Sequence, residues 1–156
     1  MTRSLGEALS LLADKGDINL PNSISRGIEK ESLRVSKDNT ISSEDHPASL
    51  GSALTNKYIA TDFSEALLEF ITPTHSSVEN ALNNLDEICK FVVTKTPETI
   101  WPSSIPCKIK NENSIRLADY GTSNAGLLKT LYRSGLSYRY GSMMQTVSGI
   151  HYNFSF

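Results

Sequence analysis

Two carboxylates, Glu29 and Glu31, stand two residues apart in the run RGIEKESLRV at residues 26–35. The run otherwise reads as a strand, in which alternate side chains point to opposite faces. Glu29 and Glu31 then share a face with Leu33 and Val35, while Ile28 shares the other with Lys30, Ser32 and Arg34. Carboxylates about 7 Å apart on one strand repel by roughly 2 kcal/mol at an effective dielectric near 20. Water or neighbouring basic residues on a solvated face can absorb that cost, and so can a divalent cation. Glu69 and the pair His151 and Asn153 also lie in strand-like stretches, where neither core nor plain surface demands them. Gathered on one sheet face, these groups would form a pocket of hard oxygen ligands. That set suits magnesium completed by water and substrate phosphate, and the imidazole suits manganese better. Spacing alone leaves the alternative open, since an isolated histidine is more often a hydrogen-bonded core residue than a ligand.

These groups need elements to position them. Leu5, Ala8, Leu9 and Leu12 fall at helical spacing, with Gly16 as a stop. The 26–35 strand is followed by a turn at Asp38 and Asn39, then by a loop containing Ser, His and Pro through Leu50. Residues 61–73, TDFSEALLEFITP, favour a strand from about Ala66, because Ala66, Leu68 and Phe70 alternate with Leu67, Glu69 and Ile71 and Pro73 closes the run. SSVENALNNLDEICKFVVTKT is the clearest helix. Ser76 and Glu79 fit a capping box, and Val78, Ala81, Leu82, Leu85, Ile88, Cys89 and Val92 form one apolar stripe, read as core. WPSSIPCKI cannot be regular helix. A second helix is predicted from about Asn124 to Tyr140, with Leu127, Leu128 and Leu131 on one side. SGIHYNFSF alternates strictly, with His151, Asn153 and Ser155 against Ile150, Tyr152, Phe154 and Phe156, the pattern of a half-buried strand.

Bulk properties exclude several classes. A chain of 156 residues, 38% hydrophobic and 21% charged, describes an ordinary globular polypeptide rather than a disordered one. The net charge of −2 offers no broad cationic surface for nucleic acid or anionic membrane. No apolar run approaches the ~20 residues of a membrane helix, and the amino terminus carries charge too early for a signal peptide, so the expected location is the cytoplasm. Cys89 and Cys107 lack zinc or C-x-x-C spacing and read as buried free thiols. The chain stops inside its final strand, which predicts the amino-terminal part of a longer protein. Repeats and low-complexity linkers are absent from the sequence, so residues 1–156 read as one part of a single domain.

RGIEKESLRV, TDFSEALLEFITP, WPSSIPC, YGTSN at 120–124, KTLYR at 129–133 and RYGSMMQTVSGIHYNFS at 139–155 occur in this order. Together they resemble the amino-terminal part of the glutamate-cysteine ligase family, of the proteobacterial type, from about Arg26 to Phe156. The resemblance implies an α+β fold like that of glutamine synthetase and the guanidino kinases, with a curved, largely antiparallel sheet lining a funnel. It implies an ATP-dependent ligase that phosphorylates the glutamate side chain to an acyl phosphate, which the cysteine amine attacks to give gamma-glutamylcysteine, the first step of glutathione biosynthesis. Bridging magnesium would neutralise the charge of the moving phosphoryl group.

Carried across residue by residue, Glu29, Glu31, Glu69 and His151 resemble metal-binding positions, with Asp62 a weaker member, and Arg133 resembles a phosphate-contacting arginine. Gln145 and Asn153 resemble glutamate-binding residues, although an exposed helix-end amide and a backbone-bonded Asn would look the same. Phe63, Tyr132 and Leu136 resemble the cysteine pocket, a role that simple core would mimic. Ser134 departs from the acidic residue frequent in the family. The resemblance further implies small-molecule substrates (L-glutamate, L-cysteine and ATP), magnesium or manganese as the metal, and a monomer when full length. A final acidic metal ligand would lie beyond Phe156, so the 156-residue chain alone is expected not to complete turnover. The rivals are a ligase using another amine acceptor and a non-catalytic metal- or partner-binding module; a metal-dependent phosphatase or nuclease is disfavoured by the lack of D-x-D, H-x-H or a basic surface.

Overall fold

A computed structural model describes residues 4–14 and 24–155. The elements are α1 (Leu5–Asp14), β1 (Ser25–Val35), β2 (Ile59–Thr61), β3 (Leu67–Ile71), α2 (Val78–Lys95), β4 (Thr99–Ile100), α3 (Asn124–Tyr140) and β5 (Ile150–Ser155), with short 3-10 turns between some of them. All the strand pairings are antiparallel. β2 pairs with β3 and β3 with β1, while the other edge of β1 carries β5 along its first half and β4 at its end. This is the mixed α and β architecture with an antiparallel sheet that the family resemblance implies. The expected stop at Gly16 lies outside the described residues.

β1 is the central strand, and the alternation of its neighbour β3 serves two cores, with Leu67 in one and Leu68 and Phe70 in the other. Leu33 and Val35 join Ile41, Phe63, Ala66, Leu67, Cys107 and Ile115 on one side. A second cluster, Leu50, Ile59, Leu68, Phe70 and Val92, lies where α2 packs, with Leu85, Ile88 and Cys89 half-buried against it. Arg34 is fully buried. Its guanidinium pairs with Glu98 and donates to the carbonyls of Glu44 and Glu65 at 2.7 and 2.9 Å, which compensates the loss of hydration. The turn after β1 closes as predicted, with Asn39 at φ 59°, a conformation Asn tolerates better than most residues.

Four expectations need correction. The cap of α2 is Ser77, whose side chain accepts from the Asn80 N–H at 3.0 Å, rather than Ser76 with Glu79. The apolar stripe of α2 is core only from Ala81 and Leu85 onward, where Leu68 and Phe70 give it partners; Val78 and Leu82 stay exposed. β5, expected to be half-buried, is exposed at every residue, and the apolar side of α3 at Leu127, Leu128 and Leu131 is exposed as well, Leu131 by 69%. Sequence period marks a face as apolar, and burial also needs something to cover it. Cys107 is buried, but Cys89 is only half-buried; both are free thiols. Among the described residues no helix is long and apolar enough to cross a membrane.

Candidate active site on the β1 sheet face

Register brings the acidic residues together. Glu31 of β1 is the cross-strand partner of Glu69 of β3, and Glu29 is the partner of His151 of β5. Directly opposed side chains on one face lie about 5 Å apart at Cβ. Residues from three strands therefore form a row of polar groups across the sheet, continuing on β1 the face whose next members, Leu33 and Val35, enter the core. The Glu29 carboxylate receives Asn153 Nδ2 at 3.0 Å and meets His151 Nδ1 at 3.3 Å. Glu31 Oε2 accepts the Gly149 N–H at 2.7 Å, and the Gly149 carbonyl accepts the Glu31 N–H at 3.0 Å.

Asp62 follows β2 and its carboxylate meets Arg133 Nη2 of α3 at 3.2 Å. The Arg133 Nε–H also donates to the Asp62 carbonyl, and the guanidinium lies 4.7 Å from the centre of the Tyr120 ring. The electrostatics carry the mark of gathered negative charge. Glu31 is held above its ordinary range mainly by burial, with Asp62 and Glu29 raising it further and the Gly149 hydrogen bond and His151 opposing. Burial likewise raises Glu69, aided by Asp62, Glu29 and Glu31. A cation beside these carboxylates would oppose the rise at both.

The donor set thus fits a hard divalent metal in kind. A second observation fits too. A Cβ placed on Gly149 would come within 3.0 Å of His151 Nε2 and 3.6 Å of Glu31 Oε2, so the missing side chain leaves room between an imidazole and a carboxylate. As placed, among the described residues no three His, Cys, Asp or Glu side chains gather closely enough to hold an ion.

The remaining expected positions divide. Asn153 adjoins the row, and together with Glu29 it borders a cavity of about 270 Å³. Gln145 is half-buried on the 3-10 turn Met143–Thr146. Tyr132 is exposed on α3, whereas Phe63 is buried in the core and Leu136 packs partly buried against the same cluster. Sequence reasoning missed Gly149 and Tyr120. The signal for Gly149 was a glycine placed just before the β5 alternation; for Tyr120 it was only membership in the YGTSN run.

Residues 9–156 match the family model described as glutamate-cysteine ligase. The chain belongs to the glutamate-cysteine ligase family. It is 49% identical over 156 residues to a curated glutamate-cysteine ligase of Pseudoalteromonas translucida (strain TAC 125), covering 99% of this chain and 30% of that protein. Among solved structures, it is similar to a Francisella tularensis glutamate-cysteine ligase in complex with AMP, with TM-score 0.82 and 47% identity over 85% of this chain and 27% of that one. It also resembles a bifunctional glutathione synthetase from Pasteurella multocida, with TM-score 0.79 and 36% identity over 92% of this chain and 19% of that one. This ligase-family chain therefore spans about a third of the length of the curated relative it matches.

Proposed function

We propose that the protein containing this chain joins L-glutamate to L-cysteine at the expense of ATP, giving gamma-glutamylcysteine, ADP and phosphate. The observation that carries the reading is the strand register that sets Glu31 opposite Glu69 and Glu29 opposite His151 in a member of this family. A γ-carboxylate oxygen of glutamate attacks the terminal phosphorus of ATP and ADP leaves. The cysteine amine then attacks the acyl carbon, inorganic phosphate leaves, and the amine releases a proton. Magnesium, or manganese, held by Glu29, Glu31, Glu69 and His151, with Asp62 at the edge, would neutralise the charge of the transferring phosphoryl group. Arg133 stabilises the same charge with its guanidinium fork. Asn153 and Gln145 orient glutamate, and Tyr132, Phe63 and Leu136 shape the cysteine site.

On this reading the protein is a cytoplasmic monomer acting on small molecules. The segment beyond residue 156 covers the exposed apolar faces of β5 and α3 and completes the metal set. The AMP bound by the Francisella tularensis relative supports a nucleotide site in the family. The test is phosphate release by the purified full-length protein with MgATP. Release that requires both glutamate and cysteine, equals the peptide formed, and is absent from the 156-residue chain alone is the expected result. Equal turnover with an unrelated amine would point to another acceptor, and no glutamate-dependent release would remove the ligase reading.

A further inference from the structure

Tyr120 is 6% exposed and touches two residues of the candidate site, Asp62 and Arg133, at once. Its hydroxyl proton is shared between the carbonyls of Thr61 and Asp62, the latter at 2.8 Å. Its ring lies 4.7 Å from the Arg133 guanidinium carbon and 5.0 Å from Lys129 Nζ, distances at which a cation is attracted to an aromatic face. Arg133 in turn bonds both the carbonyl and the carboxylate of Asp62. Tyr120, Asp62 and Arg133 therefore close a loop in which each pair is in contact. The tyrosine is itself fixed from behind: the Glu65 carboxylate accepts the Asp119 N–H at 2.8 Å, and Asp119 Oδ1 accepts the Gly121 N–H at 2.8 Å. The backbone of α3 presses so closely on the Tyr120 carbonyl that a Cβ on Gly126 would lie 2.4 Å from it.

We propose that Tyr120 is a positioning residue of this ligase, holding the Arg133 and Asp62 pair where the charge of the transferring phosphoryl group develops. The proposal rests on the ligase reading above. The ring limits the guanidinium to one face, and the hydroxyl fixes the backbone from which Asp62 projects.

The test uses the full-length enzyme with Y120F, Y120L, R133K and the double variant Y120F with R133K. Y120F keeps the ring and removes one hydroxyl, so it should retain the fold while lowering kcat by about tenfold with little change in the KM for cysteine; Y120L should lose about a hundredfold. In the R133K background Y120F should cost under about twofold, because its effect passes through Arg133. A full tenfold loss in that background, or an unchanged kcat in Y120F, overturns the proposal. If Y120L fails to fold, Y120F and the double variant decide. An inactive wild type removes the ligase reading and the proposal with it, whereas an active wild type with an indifferent Y120F removes the proposal alone.

Discussion

Glu31 and Glu69 are direct cross-strand partners, two carboxylates facing each other in the middle of an antiparallel pair. Like charges so placed destabilise a sheet, where opposite charges would support it. The fold tolerates the pair beside three further ionisable groups, Asp62, Glu29 and His151, each of which contributes to the field at both carboxylates. Stability alone would select against this arrangement, and holding a cation is the simplest chemistry that rewards it.

The cost should be visible without metal. Both groups are raised in the fold above 4.5, chiefly by burial. A raised carboxyl is neutral in both states at low pH, so its contribution is fully present there and is lost as pH climbs through the folded value. In the metal-free protein E69Q should therefore raise unfolding stability near neutral pH and leave it unchanged near pH 4. The gain is up to about 1 kcal/mol, and solvent at this half-exposed face keeps it toward the lower end. Magnesium should stabilise the wild type more than E69Q. Thermal unfolding at the two pH values, with and without magnesium, checks this; a variant destabilised at neutral pH would contradict it.

Two glycines of α3 should answer alanine in opposite ways. Helix propensity favours alanine by about 1 kcal/mol at either site. Gly135 has only the flexible end of Arg139 within reach, 3.4 Å from the new Cβ, so G135A should stabilise by about 0.5–1 kcal/mol. At Gly126 the new Cβ would meet two backbone carbonyls, of Tyr120 at 2.4 Å and Gly121 at 2.8 Å. Neither can swing away, and an overpacking cost of about 1–3 kcal/mol outweighs propensity. G126A should be less stable than wild type in denaturant unfolding, and an equally stable G126A would show that the helix start can shift.

Strong periodicity was legible. β1, the strand near Ala66, both long helices and β5 stand where alternation and the 3.6 period put them, and α3 runs from Asn124 to Tyr140 as expected. The acidic row was legible as residue types out of place on their strands. What escaped depends on long-range geometry. Two adjacent serines, each with a polar residue three positions on, make the cap of α2 ambiguous by one residue. β2 has three residues, too few for alternation to show. Arg34 pairs with Glu98, 64 positions away, so nothing local distinguishes it from a surface cation. Phe63 reads equally as pocket or core until Leu33 and Leu67 are seen beside it.

Gly149 offers the sharpest separation of site from scaffold. Its N–H and carbonyl both bond to Glu31, an arrangement any residue's backbone could keep. Its φ is not among the positive values, so alanine brings no backbone strain. The added Cβ would stand 3.0 Å from His151 Nε2, closer than ordinary contact, but the imidazole side chain is 56% exposed and can yield by a few tenths of an ångström. G149A should therefore unfold within about 0.5 kcal/mol of wild type. The displaced ring and the filled space beside Glu31 should still raise the magnesium concentration needed for half-maximal ligase rate, by about tenfold, as small disturbances around metal ligands do. Titrating magnesium against initial rate in the full-length enzyme, alongside its unfolding midpoint, separates the two effects. An unchanged magnesium requirement would mean that the space beside His151 Nε2 serves no ion, and a large loss of stability would mean that the imidazole is locked by packing rather than free to adjust.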